Sequence, residues 1–332
     1  MSYDTEHTSG FAEEIRPTRE ARRRNNALVM QVGWCVIVAF SLILNFLSIP
    51  ARHHQLVTPC TDPAEAIMGR RSAEELQALA DVGISPYLYF WGMEVMASAW
   101  VLVCLAFAAV IFWKRRDRAI AFVASTFLVV CSTAASINSP ALAAEIPATQ
   151  PLADAHYGLG FALVALLVLL LPNGRFYPRF ARWIALFFIT YEGARVFLPS
   201  VPGAGQLWPP YLAFIPEMAV FGLGVGIQVH RYRTYYTPIE RQQTKWVVAA
   251  FAIHVAVWAA LVIPNLVLAS ILDDPLMNVG VEVGLYVAYL TTFLLIPVAL
   301  MFAVFRHRLW DIDIIINRSL IYGLLSLSVM AA

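Results

Sequence analysis

The chain has 332 residues, of which 60% are hydrophobic and 14% charged, and its formal net charge is +1. A soluble domain is nearer half apolar and a quarter charged, so this much apolar surface exceeds what one globular core can hide and must dissolve in lipid. The near-neutral charge balance gives no reason to expect a nucleic-acid partner.

In chain order, residues 1–26 form a basic polar tail. Apolar runs long enough to cross about 30 Å of hydrocarbon then recur. They are Ala27–Ile49, Tyr87–Trp113, Ala119–Ile137, Ala155–Leu171, Trp183–Leu198, Tyr211–Val229, Trp246–Ile271 and Val281–Phe305. Backbone groups in lipid must be bonded internally, so each run is expected to be a helix. The sequence therefore predicts an all-α integral membrane protein. Eight complete transmembrane helices fill 27–305, and a ninth, starting near Leu320, is truncated within 320–332. The first run is too long, and follows too long a polar segment, for a cleavable signal peptide, so it reads as an anchor.

The segments between runs carry turn and cap chemistry. In the outer segment 50–86, Asp62-Pro63 with Glu65 offers an N-cap, and Ser72 with Glu75 is a capping box. Ala73, Leu76, Leu79 and Ala80 then share one face at helical spacing. This predicts a short amphipathic helix on the outer membrane face, serving as a lid over the bundle or as part of a ligand-binding loop. Farther on, Asn173-Gly174 suits a positive φ, and Pro172 and Pro178 stop helices. Pro238 at a helix start, with Glu240 in the first turn, predicts a cytoplasmic extension of the seventh span.

Lysine and arginine set the orientation. Arg16, Arg19, Arg22, Arg23 and Arg24; Lys114, Arg115, Arg116 and Arg118; Arg175, Arg179 and Arg182; Arg231, Arg233, Arg241 and Lys245; and Arg306, Arg308 and Arg318 fall in alternate segments. These are 19 of the 23 basic residues. The other segments hold Arg52, Arg70 and Arg71, and Arg195 lies inside a run. The asymmetry predicts a cytoplasmic N-terminus. Cys35, Cys104 and Cys131 fall within runs and pack as small hydrophobes, and Cys60 stands alone in the outer segment, so no disulfide framework follows. No cofactor is implied.

Three inner segments, Leu171–Arg179, Pro238–Trp246 and Arg308–Gly323, together resemble the N-terminal membrane region of bacterial sensor histidine kinases. The type is the multi-span one common in Chloroflexi and Actinobacteria, distantly like the competence sensor kinases of Bacillus. The resemblance spans essentially the whole chain. In that family a final span, often a GAF domain, then dimerisation-phosphoacceptor and ATPase domains follow. No phosphoacceptor helix or glycine-rich ATP lid is present, so only the sensing and coupling role carries over. The resemblance implies a multi-pass protein of the bacterial cytoplasmic membrane. It also implies a homodimer through the full-length kinase and a response regulator engaged by the missing domains.

The segment 306–319 reads as a coupling hinge. Arg306, Arg308, Asp311, Asp313 and Arg318 cannot enter hydrocarbon cheaply, Trp310 is an interfacial type, and Asp311, Asp313 and Asn317 can bond to the basic inner loops. The competing reading is an ordinary loop with positive-inside charge. Within the runs, Glu94, Glu192, Arg195, Glu217, His254 and Glu282 are the polar candidates. An ionisable group at a span centre costs about 2.5–3.5 kcal/mol and faces a partner or water. Glu192 and Arg195 can pair along one helix, and Arg195 can reach Glu217 or Glu282. The acids at similar depth point to a polar cavity opening outward, against the alternative of helix-packing ion pairs. His254 reads either as a hydrogen-bonded packing residue or as a pH sensor.

Two further motifs read as structural. Gly222, Gly224 and Gly226 allow close helix packing rather than nucleotide binding. His53-His54 offers too few ligands for a metal. The function expected is the signal-receiving part of a two-component kinase; the alternative is a small-molecule or ion transporter or channel. No histidine–carboxylate cluster of catalytic spacing points to a membrane enzyme.

Overall fold

The computed structural model describes residues 6–60, 71–115, 118–134, 138–172, 174–198, 210–268 and 274–305. The 306–319 hinge, the ninth span and the Asp62–Glu65 cap lie outside the described residues. Every named element among the described residues is a helix. They are α1 (Glu6–Val57), α2 (Ala73–Asp81), α3 (Pro86–Arg115), α4 (Ala119–Ala134), α5 (Asn138–Glu145), a 3-10 turn (Pro147–Thr149), α6 (Gln150–Leu170), α7 (Ala181–Phe197), α8 (Pro210–Thr234), α9 (Pro238–Leu268), α10 (Pro275–Phe293) and α11 (Leu295–Phe305).

Each apolar run lies on a helix, and the architecture is that of a helical membrane protein. Arg24–Val57, Pro86–Arg115, Pro147–Leu170 and Pro275–Ala303 are long and apolar enough to cross a membrane; Ala119–Ala134 and Thr244–Val257 are shorter apolar helices. The shortness of α4 goes with its place at the centre. Ala121, the unbroken stretch from Val123 to Val130, Ser132 and Thr133 are all buried. Two of its hydroxyls bond back within the helix: Ser132 and Thr133 both donate to the Val129 carbonyl, at 2.9 and 2.8 Å. Around it, Phe127 packs against Phe251 and Phe293, and Trp34 stacks on Phe112 at 4.5 Å. Opposite in character, α1 turns Val29, Val32, Val36, Ile43, Phe46 and Leu47 outward, an apolar stripe too large for a water-facing surface.

Two departures from the sequence reading have physical causes. The eighth run is interrupted at Leu294, although that residue keeps helical φ and ψ of −61° and −19°. Pro297 has no N–H to give the Phe293 carbonyl, so α10 stops at Phe293 and α11 restarts at Leu295. The Leu290 carbonyl beside this break receives both the Leu294 N–H at 3.2 Å and the Trp100 indole N–H at 3.1 Å. Second, α5, which no apolar run announced, lies along α1, with Ala141 and Leu142 buried against Leu44 and Ala51.

The caps form as their chemistry dictates. Glu75 N–H donates to Ser72 Oγ at 3.1 Å and Ser72 N–H to Glu75 Oε2 at 3.0 Å, completing the capping box of α2. Its other end closes on Gly83, whose φ of +84° lets Ile84 N–H reach Leu79 O and Gly83 N–H reach Ala80 O, both at 2.9 Å. Thr237 and Glu240 make the same reciprocal pair at the start of α9. Of the face proposed for α2, Leu76 and Leu79 are buried and Ala73 and Ala80 are exposed. The helix packs onto its neighbours through two leucines.

Candidate functional site

At one pole the C-terminal end of α1, the whole of α2 and the N-terminal ends of α3 and α10 converge. Leu56, Leu76, Leu79, Tyr89, Phe90 and Val279 form a small apolar cluster there. The extended Cys60, whose N–H bonds Arg71 O at 2.8 Å, fastens the chain entering α2 to the end of α1.

Charged groups are buried at this pole. Arg71 is 3% exposed and its Nη1 lies 2.6 Å from Glu282 Oε2 of α10. Its Nε and Nη2 donate to the Tyr89 hydroxyl at 3.2 and 2.7 Å, and Glu75 Oε1 lies 4.0 Å away. Burial disfavours the charge on Arg71, but Tyr89 and Glu282 outweigh it and hold its pKa above the ordinary value. Arg52 of α1 is also buried, within electrostatic range of Tyr89, Tyr286, Arg71 and Glu94. Glu94 is buried on α3 and accepts from the Ser98 hydroxyl at 3.3 Å.

The sequence candidates thus separate into three places. Glu94 and Glu282 share the pole just described, and the arginine on Glu282 is Arg71, not Arg195. Glu192 and Arg195 pair along α7 at 3.2 Å, as their spacing implied. They do so against α6, where a Cβ on Gly158 would meet Glu192 Oε2 at 3.4 Å. His254 is buried on α9, with its Nδ1 3.0 Å from Thr292 Oγ1 and the rings of Tyr289 and Phe293 edge-on to it, beside the α10–α11 break. Glu217 sits on α8, and its side chain lies outside the described residues, as do the hinge residues Arg308, Trp310, Asp311, Asp313, Asn317 and Arg318. His53 packs edge-on to Phe90, and His54 pairs with Glu145 of α5 at 2.9 Å. Among the described residues no three histidine, cysteine or acidic side chains converge to hold a metal.

The opposite pole buries a third arginine. There α6 ends at Leu170, leaving its last carbonyls without intrahelical partners. Gln228 donates to the carbonyls of Val168 and Leu171, Arg231 Nη1 to Leu169 O at 2.9 Å, and Gly174 N–H to Leu170 O at 2.7 Å. The Tyr236 hydroxyl lies 2.6 Å from Gln228 Oε1 and 3.0 Å from Leu171 O, and burial pushes its pKa up to about 12. Gly174 has the positive φ, 75°, that the Asn-Gly pair implied. Close approach of α8 to α6 needs Gly224, where a Cβ would stand 2.8 Å from Val168 Cγ1. Gly222 and Gly226 face open space.

The sequence offered two signals to the first pole. Arg52 and Arg71 were exceptions to the charge asymmetry, and an arginine that breaks the orientation rule needs a partner. Nothing in the local pattern marked Gln228, Arg231 or Tyr236. No protein-family model matches the chain, and no curated protein or solved structure matches it either.

Proposed function

We propose that this chain is the signal-receiving membrane unit of a two-component sensor kinase, taking its input at the pole of Arg52 and Arg71 and passing it toward residues 306–319. The observation that carries this reading is the path of one helix pair. α10 begins at that pole, contributes Glu282 to the buried ion pair and Tyr286 to the surroundings of Arg52. Midway it is held by His254 and Trp100, and after the break α11 ends at Phe305, directly before the hinge. A change in the ion pair at the head of α10 therefore acts on the element that enters the hinge.

The topology we propose is eight passes through a bacterial cytoplasmic membrane with the N-terminus inside. Its support is the charge at the two poles. Lys114 and Arg115, at the end of α3, and Arg118, Arg175 and Arg231 belong to the carbonyl-capping pole, whereas the ion-paired arginines belong to the other. The kinase domains, the homodimer and the response regulator are expectations from the resemblance.

Hydrogen exchange of the chain in nanodiscs tests the coupling. Glu282→Gln should speed exchange through 295–319 as well as near 282. A change confined to the first turns of α10 would refute coupling. In a complete kinase carrying this unit, Glu282→Gln should alter autophosphorylation at unchanged membrane level.

A further inference from the structure

Among the described residues, the buried pole has donors left over. Arg52 is 6% exposed, and its Nη1 has no hydrogen-bond partner. The Tyr89 hydroxyl accepts twice from Arg71 and still has its own proton to give. Tyr89 is also among the groups whose field acts on Arg52. The nearby carboxylates each have a partner, and none hydrogen-bonds Arg52 Nη1, although the charge of Glu94 acts on Arg52. Glu282 is on Arg71, Glu75 closes the capping box, and Glu94 accepts from Ser98. A buried cationic N–H without an acceptor is costly. Arg52 stands one helical turn before Leu56, which packs in one cluster with Tyr89, so the two donors lie at the same end of the bundle, and one compact acceptor carrying negative charge would serve both.

We infer that Arg52 and Tyr89 form a binding site for a small oxyanion, a carboxylate or phosphate group, between α1, α3 and α10. Arg52 supplies the charge and an N–H. Tyr89, held in place by Arg71, supplies an O–H. Tyr286, one turn after Glu282 on α10, lies within electrostatic range of Arg52. Guanidinium and hydroxyl donors match an oxygen acceptor, and the guanidinium favours a planar or tetrahedral oxyanion over a halide. The assignment deepens the reading of this pole as the input by naming the chemistry of the signal, and it rests on that reading only for its biological use. The group is carried either by a soluble molecule or by an anionic lipid headgroup.

Thermal stability of the full chain in nanodiscs of neutral phosphatidylcholine tests this. Sodium acetate, L-glutamate and inorganic phosphate are titrated against sodium chloride at equal ionic strength, and a parallel series replaces a fifth of the lipid with phosphatidylglycerol. The expected result is a saturable rise in Tm with at least one oxyanion or with phosphatidylglycerol. Arg52→Gln should weaken it at least tenfold in midpoint, and Arg241→Gln, at an exposed position of α9, should leave it unchanged. A response to the soluble ions identifies a soluble ligand, and a response to phosphatidylglycerol alone identifies a headgroup. No saturable rise in any series, or the same rise in Arg52→Gln, overturns the site. Should Arg52→Gln fail to fold, Arg52→Lys, which keeps the charge, and Tyr89→Phe provide the same test with a several-fold weakening expected of each. Because the readout is binding, its failure leaves the hydrogen-exchange test of coupling standing, and failure of that test leaves this one standing.

Discussion

The two poles of the bundle bury arginine against different partners. Arg231 is neutralised by backbone: its Nη1 bonds the Leu169 carbonyl at the C-terminal end of α6, where the helix dipole favours a cation. Arg71 is neutralised by side chains on other helices, Tyr89 and Glu282. Backbone carbonyls cannot titrate, rotate away or exchange partners without unwinding the helix. A carboxylate on a separate helix can do all three. The first arrangement is thus a fastening between α6 and α8. The second is a contact whose partners can be exchanged at modest cost, as the input role proposed for it would require.

Substitutions should separate the two kinds of burial. The largest effect is expected at the fastening. Arg231→Met leaves carbonyls at the end of α6 without donors and should cost about 3 kcal/mol in unfolding measurements in detergent. A loss below about 1 kcal/mol would mean those carbonyls find other donors and would erase the contrast. Glu282→Gln should cost less, about 1–2 kcal/mol, because the carboxylate is one-third exposed even though it leaves Arg71 buried. Combining Arg71→Met with Glu282→Leu should recover much of that loss, since an apolar pair of similar volume often replaces a buried ion pair without penalty. A larger cost at Glu282 than at Arg231 would invert the comparison.

Smaller effects sharpen it. Gly224→Ala forces Val168 to move and should cost about 1 kcal/mol, read as a Tm shift that leaves the pole of Arg71 unaffected in hydrogen exchange. Ser72→Ala removes half of a capping box and should cost about 1 kcal/mol or slightly less, with faster exchange limited to α2. The last effect is absent at neutral pH. Tyr236 holds its proton up to about pH 12 when folded, against an ordinary value of 10. The stabilisation it provides is therefore complete below pH 10 and is lost as pH rises from 10 to 12. Tyr236→Phe should flatten that alkaline part of the stability curve; an unchanged curve would assign the alkaline loss to other groups.

The sequence foretold the elements better than their partnerships. Proline, glycine and capping residues act within a few positions, so Ser72–Glu75, Gly174 and the start of α9 at Pro238 announced their structures. The Glu192–Arg195 pair was legible for the same reason, being one helical turn long. Arg71–Glu282 was not, because its two halves lie over two hundred positions apart and only packing brings α10 to the end of α1. Counting charges by segment placed Arg52 and Arg71 in an outer loop, where they stood as exceptions without an explanation. The break at Leu294 needed a different observation. Whether a proline within an apolar run interrupts its helix depends on the surrounding packing, here including Trp100, which bonds the Leu290 carbonyl one turn earlier.

That break also constrains what kind of motion can leave the bundle. A straight helix can act as a push-rod, carrying axial displacement from end to end. α10 and α11 meet at Leu294, whose φ of −61° and ψ of −19° keep the backbone helical while Pro297 leaves the Phe293 carbonyl without its usual donor, and such a weakened turn would yield to tilt more readily than an unbroken one. The second helix has 11 residues, so it is about 16 Å long, and a tilt of about 10° swings its far end by about 3 Å. Whatever follows Phe305 would then be driven sideways, and the natural receiver for such a stroke is a neighbouring helix that can be approached or released.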